Sequence, residues 1–152
     1  MIKKSLLTIY LLSAALIGLA QTETRLSLPK GCIQLKPGEM QWTDTASFLP
    51  KGTRYCILYG DPKKQAPFAI RLKLPPKLVM KTHYHLNDEV VTLLDGSVSI
   101  GFGEKTDTSK TNTLTAGSFY VNAARVEHFL VVGDEGATIQ INSIGPWTTK
   151  FK

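Results

Sequence analysis

Apolar positions along this chain recur in short alternating runs and not at helical spacing. The stretch FAIRLKL shows the period plainly: Phe68, Ile70, Leu72 and Leu74 share one face, against Ala69, Arg71 and Lys73 on the other. A period of two marks a half-buried strand. Comparable runs are CIQL (32–35), RYCILYG (54–60), KLVMKTHYH (77–85), EVVTLL (89–94), SVSIGFG (97–103), SFYV (118–121), EHFLVV (127–132) and ATIQINSI (137–144). Clusters rich in Gly, Pro, Asn and Asp separate them, among them KPGE, GDPKKQAP, LDG, KTDTSKTN and VGDEG. Many short strands at such spacing predict an all-β sandwich or barrel. LDG, between two strongly apolar runs, predicts a tight hairpin turn. No internal repeat or low-complexity tract interrupts the pattern.

The first 20 residues follow a different rule. Lys3 and Lys4 precede a mostly apolar run from Ser5 to Ala20, and the chain turns polar at Gln21. That is the layout of a cleavable export signal, with small residues at Gly18 and Ala20 suiting cleavage after Ala20. A spanning helix needs about 20 apolar residues, more than this run supplies. The expectation is therefore a signal peptide over 1–20, one domain over 21–152, no stable membrane anchor, and a secreted or periplasmic protein.

Charge excludes one class of partner. Of 18 basic residues two leave with the leader, so 16 face 12 acidic residues in the mature chain, a net +4. These charges are spread thinly, with Lys63-Lys64 the one mature basic doublet. A nucleic-acid surface concentrates its charge, so no nucleic-acid partner is expected. Both cysteines, Cys32 and Cys56, belong to the mature chain. In an oxidising compartment they permit a disulfide, while Cys56 inside RYCILY equally suits a buried thiol.

The chemistry lies in THYHLNDE. The chain has three histidines, and two of them, His83 and His85, stand one residue apart. In a strand they face the same side, and Glu89 opens the next strand after a short turn. His128 lies in another run; if its strand pairs with theirs, three imidazoles and one carboxylate converge. Such a set suits a borderline divalent metal ion over a hard one such as calcium. The same parity points Lys81 inward. RYCILYG places Tyr55, Ile57 and Tyr59 on one face, which suits core packing. In ATIQINSI the polar set Thr138, Gln140 and Asn142 is expected toward solvent. Trp147 is expected to cover one barrel end or a subunit contact. No general acid beyond the ligands stands out, and the catalytic residues are left open.

The segment resembles the first signature of the cupin superfamily: two histidines one apart, a glutamate after three more residues, and a glycine after a further six. His83, His85, Glu89 and Gly96 hold every spacing. Gly117 and His128 fit the second signature, although Ala123 stands at its proline position and Arg125 at its inner glycine. Lys77 replaces the leading glycine of the first signature and Val132 the closing asparagine of the second. The resemblance implies a double-stranded β-helix, or jelly roll, holding one divalent transition-metal ion (Fe, Mn, Ni, Zn or Cu) through His83, His85, Glu89 and His128. It also implies a homodimer and a small-molecule substrate or ligand. The leading expectation is a metal-dependent oxidoreductase of dioxygenase type. The alternatives are a binding protein without turnover, or a non-redox isomerase or decarboxylase.

Overall fold

The computed structural model of the chain describes residues 27–44 and 49–152; the expected export leader, residues 1–20, lies outside them. The chain divides into an N-terminal unit ending at Ile33 and a main unit, Gln34–Lys152. In the first, Cys32 N–H donates to the Pro29 carbonyl at 3.0 Å and closes a turn. CIQL, expected as a strand, is irregular throughout. It alternates too little to present an apolar face, and Ile33 and Leu35 are exposed.

In the main unit a single 3-10 turn, Pro37–Glu39, precedes the strands β1 (Thr43–Asp44), β2 (Arg54–Tyr59), β3 (Pro67–Leu74), β4 (Val79–His85), β5 (Glu89–Phe102), β6 (Asn112–Thr115), β7 (Phe119–Asn122), β8 (His128–Ile144) and β9 (Thr149–Phe151). All pairings are antiparallel. The sheet runs β1-β2-β3-β8-β4-β9, and β5 pairs with β6, β7 and β8. It curls until its apolar faces meet. β3 behaves as its alternation predicts, with Phe68, Ile70, Leu72 and Leu74 buried. They pack against Val91, Leu93, Ile139 and Ile141. Val91 and Leu93 are fully buried, which stabilises by about 1.5–3 kcal/mol per side chain. Thr138, Gln140 and Asn142 stay half-exposed on the outer face, as expected.

LDG is not a hairpin. β5 runs through it without reversing and shifts register against β8 on either side of Asp95–Gly96. The physical reason is the close approach of the two strands. Gly96 has φ +74°, and a Cβ there would collide with the Gly136 carbonyl. A left-handed residue within a ladder makes a bulge that bends the strand. EHFLVV, VGDEG and ATIQINSI likewise form the single strand β8, bent at Gly136 with φ +82°. NTLT and the closing TKF, both polar in pattern, add strands β6 and β9.

The two framework glycines that this chain lacks leave their conformation behind. Lys77 and Arg125 are the non-glycine residues with positive φ among the described residues, at 59° and 64°. Each turn is held by its backbone: Lys77 N–H donates to the Gly133 carbonyl at 3.1 Å, and Arg125 N–H to the His85 carbonyl at 2.8 Å. The turn geometry survives the substitutions, at a cost of about 1–2 kcal/mol per residue. Both cysteines are free thiols, Cys32 exposed and Cys56 buried.

Candidate metal centre

The pairing of β4 with β8 sets His83 directly opposite His128. That is the juxtaposition the sequence required. A register shift between Met80 and His83 resets the side-chain parity of β4. Met80 therefore packs against the core, His83 and His85 point inward, and Lys81 is exposed. The inward placement expected for Lys81 is thus corrected by one bulge.

The three imidazoles are buried, each 2% exposed. Their ring centroids lie 4.3 Å (His83–His128), 5.2 Å (His83–His85) and 5.4 Å (His85–His128) apart. Each Nδ1 meets a backbone carbonyl: Lys81 for His83 at 2.7 Å, Thr148 for His85 at 3.0 Å, Val126 for His128 at 2.9 Å. A carbonyl only accepts, so each Nδ1 carries the proton and each Nε2 keeps a free lone pair. One ligand nitrogen from each ring lies within 4.8 Å of the others, and the set could hold a metal ion. His85 Nε2 and His128 Nε2 are buried without a hydrogen-bond partner. An orphaned buried polar atom costs about 1–3 kcal/mol, a cost that an ion would remove.

Glu89 opens β5 beside this cluster and is 6% exposed. Its two oxygens stand 3.6 Å from His85 Nε2 and 3.7 Å from His128 Nε2. Asn122, its register partner on β7, donates from Nδ2 to Oε2 at 2.8 Å. Three of the four sequence-predicted ligands, His83, His85 and His128, therefore converge, and Glu89 stands beside two of them. Burial keeps the histidines neutral: desolvation, with His128 nearby, lowers the His83 pKa to about 3, and desolvation lowers His85 and His128 as well. It also pushes the Glu89 carboxyl up, against the hydrogen bond from Asn122. Neutral imidazoles are the form that binds metal, and a cation would reverse the penalty on the carboxylate.

Two neighbours escaped the sequence reading. Asn122 and Tyr120 share the inner face of β7, a signal present in the alternation of FYVN. Tyr120 lines the chamber, and its phenol is pushed upward by burial and by Glu89. Trp147 lies between Phe68 and His85, with centroids 5.9 and 5.3 Å away, the latter nearly parallel at 24°. It closes one side of the barrel interior, as one of its two expected roles required. Tyr55 packs against the core, whereas Ile57 and Tyr59 are exposed. Arg125 is exposed and takes no part in the chamber. The chamber measures about 30 Å³, room for an ion and a water.

Solved structures share this architecture. The polyketide cyclase RemF from Streptomyces resistomycificus superposes with a TM-score of 0.65 at 13% identity, over 79% of this chain and 84% of that one. A putative acetylacetone dioxygenase from Methylibium petroleiphilum gives 0.63 at 16% identity, over 84% and 86%. An RmlC-like cupin from Shewanella frigidimarina gives 0.57 at 16% identity, over 74% and 90%. The chain has the cupin fold. No family model matches its sequence, and no curated protein does. Identities this low carry the double-stranded β-helix and not an activity. Among the described residues no helix is long and apolar enough to cross a membrane.

Proposed function

We propose that this cupin is a metal-dependent enzyme that oxidises a small organic molecule, with His83, His85, Glu89 and His128 holding one divalent transition-metal ion. The observation that carries this reading is the set of three Nδ1–carbonyl bonds, which turns three neutral Nε2 lone pairs toward one buried point. Four protein ligands leave positions open on a six-coordinate ion, and the bound ion would supply Lewis acidity and, for iron, manganese or copper, redox activation of dioxygen. The chain's own residues orient this centre. Asn122 fixes the Glu89 carboxylate, and the Thr148 carbonyl fixes the tautomer of His85. Tyr120 places a protonated phenol on the chamber wall.

A dioxygenase and a cyclase both stand among the structural neighbours, so the fold does not choose between redox and non-redox chemistry. The imidazole-rich donor set supports the redox reading because it accommodates redox-active ions. Elemental analysis of untagged protein, followed by oxygen uptake with a metabolite panel, tests it. One redox-active ion per chain with substrate-dependent uptake is the expected result. A metallated protein that converts compounds without oxygen uptake is instead an isomerase or decarboxylase. The small chamber favours a second reading, a metal-binding protein without turnover, which a metallated protein that converts no compound would establish. We further infer an exported homodimer whose mature chain begins at Gln21. Intact mass of protein from the cell exterior and light scattering check both statements.

A further inference from the structure

Outside the metal chamber lies a second cavity of about 870 Å³, within the usual size of small-molecule sites. Its floor is apolar, built by Tyr55, Ile57 and Ile70, with Trp147 as the wall toward the metal chamber. Ile57 is 47% exposed although it sits within a central stretch of β2, so this apolar surface has no cover among the described residues. Trp147 Nε1 and Thr148 Oγ1, in two of the lining residues, are buried without partners. Lys63 and Lys150 flank the same cavity, and neither ammonium has an ion-pair partner among the described residues. Asp61 is the one acid in the lining, and its carboxylate accepts from the Lys63 backbone N–H at 2.9 Å. The cavity thus combines an apolar floor with an excess of positive charge.

We propose that this cavity binds a small carboxylate with an apolar, aromatic-sized body, its ring against Tyr55, Ile57 and Trp147 and its oxygens toward Lys63 and Lys150. As a statement of substrate class the inference rests on the enzymatic reading above; as a statement of binding it stands without the metal. The loop carrying Lys63 and the segment carrying Trp147 are clamped together, which makes the site a built one. The Trp147 backbone N–H donates to the Pro62 carbonyl at 2.7 Å and the Gly145 backbone N–H to the Ala66 carbonyl at 3.0 Å. A side chain at Gly145 would collide with the Lys64 carbonyl.

The test is calorimetric titration with three probes of one shape: 3-phenylpropionate, 3-phenylpropan-1-ol and 3-phenylpropylamine. Each is run on metal-loaded protein and on protein stripped by a chelator. The carboxylate should bind at least about tenfold tighter than the alcohol, the scale of one charge-assisted hydrogen bond, and the amine weakest. Lys63→Met with Lys150→Met, both at exposed positions, should bring the carboxylate down to the level of the alcohol without changing the thermal midpoint. These results should hold with and without metal, so a failed metal reading leaves them untouched. Equal affinity for carboxylate and alcohol overturns the proposal, as does a preference that survives the lysine changes. Absence of binding at millimolar probe overturns it too. Binding that vanishes on stripping places the anion on the ion and also overturns it.

Discussion

Lowering the pH should unfold the metal-free protein through its histidines, and His83 sets the scale. Its ring is held neutral in the folded state, with a pKa of about 3 against an ordinary 6.5, because burial penalises the imidazolium and His128 stands beside it. In the unfolded chain the same ring takes a proton below 6.5. The unfolded state therefore binds more protons between these values, and stability falls as pH falls through that window. Above pH 6.5 the contribution is fully present. Integrating between pH 7 and 5 gives a loss of about 2 kcal/mol from His83 alone. His85 and His128 are lowered for the same reason and add in the same direction. Glu89 acts oppositely: its folded pKa is raised, so its penalty is relieved as pH falls through that value. Comparison of wild type with His83→Leu removes this opposing part along with the other carboxylates. Urea unfolding of stripped protein at pH 7, 6 and 5 should show wild type losing about 2 kcal/mol more than the variant. Equal losses in the two proteins would refute the assignment of a buried neutral His83.

Alanine at His83 or at His128 should abolish metal occupancy at micromolar ion, measured by elemental analysis after gel filtration; unchanged stoichiometry in both would remove the centre. Asn122→Leu should weaken metal binding about 10- to 100-fold by competition assay, because it frees the Glu89 carboxylate and leaves Oε2 unpaired. An unchanged affinity would mean that Glu89 is not a ligand. Arg125→Gly should raise stability by up to about 1 kcal/mol in chemical denaturation, since relief of the left-handed strain exceeds the added chain entropy. A loss of stability would show that the Arg125 side chain supports the turn.

Much of the barrel was legible because its face pattern is strict. In β3 every second residue is apolar, and one register places all four in the core; a slip by one residue would expose them. The candidate histidine cluster was legible for a related reason. The chain has three histidines, and a spacing that sets two of them on one strand face points to a shared ligand. Glu89 and His128 each fall at the start of a strand, where they can join that pair. Such chemistry needs no knowledge of the loops between. The positions of Lys77 and Arg125 could also be placed by spacing, but their left-handed conformation could not. Residue identity argued against it, and the backbone bonds to Gly133 and His85 prevail.

What escaped the sequence has a common cause, which is long-range approach of backbone to backbone. Alternation assigns a face only while the strand is regular. The shift between Met80 and His83 breaks that count, so parity projected Lys81 inward when it is the one outside. The same limit turned LDG into an expected hairpin. Locally the turn residues favour reversal, but Gly96 lies against Gly136 of β8, and the extended pairing on both sides of the bend outweighs a two-residue loop. The C-terminal segment is the third case. Nothing in GPWTTKF has strand periodicity, yet the pairing of β9 with β4 carries it across the barrel interior. There the Thr148 carbonyl sets the tautomer of His85 and the indole of Trp147 covers its ring. These two residues link the metal chamber to the outer cavity, so the segment least informative as sequence is the one that joins the two sites physically. A ligand entering the chamber from the outer cavity must displace or pass that wall, and the cost of moving Trp147 off His85 then becomes part of the selectivity of the centre.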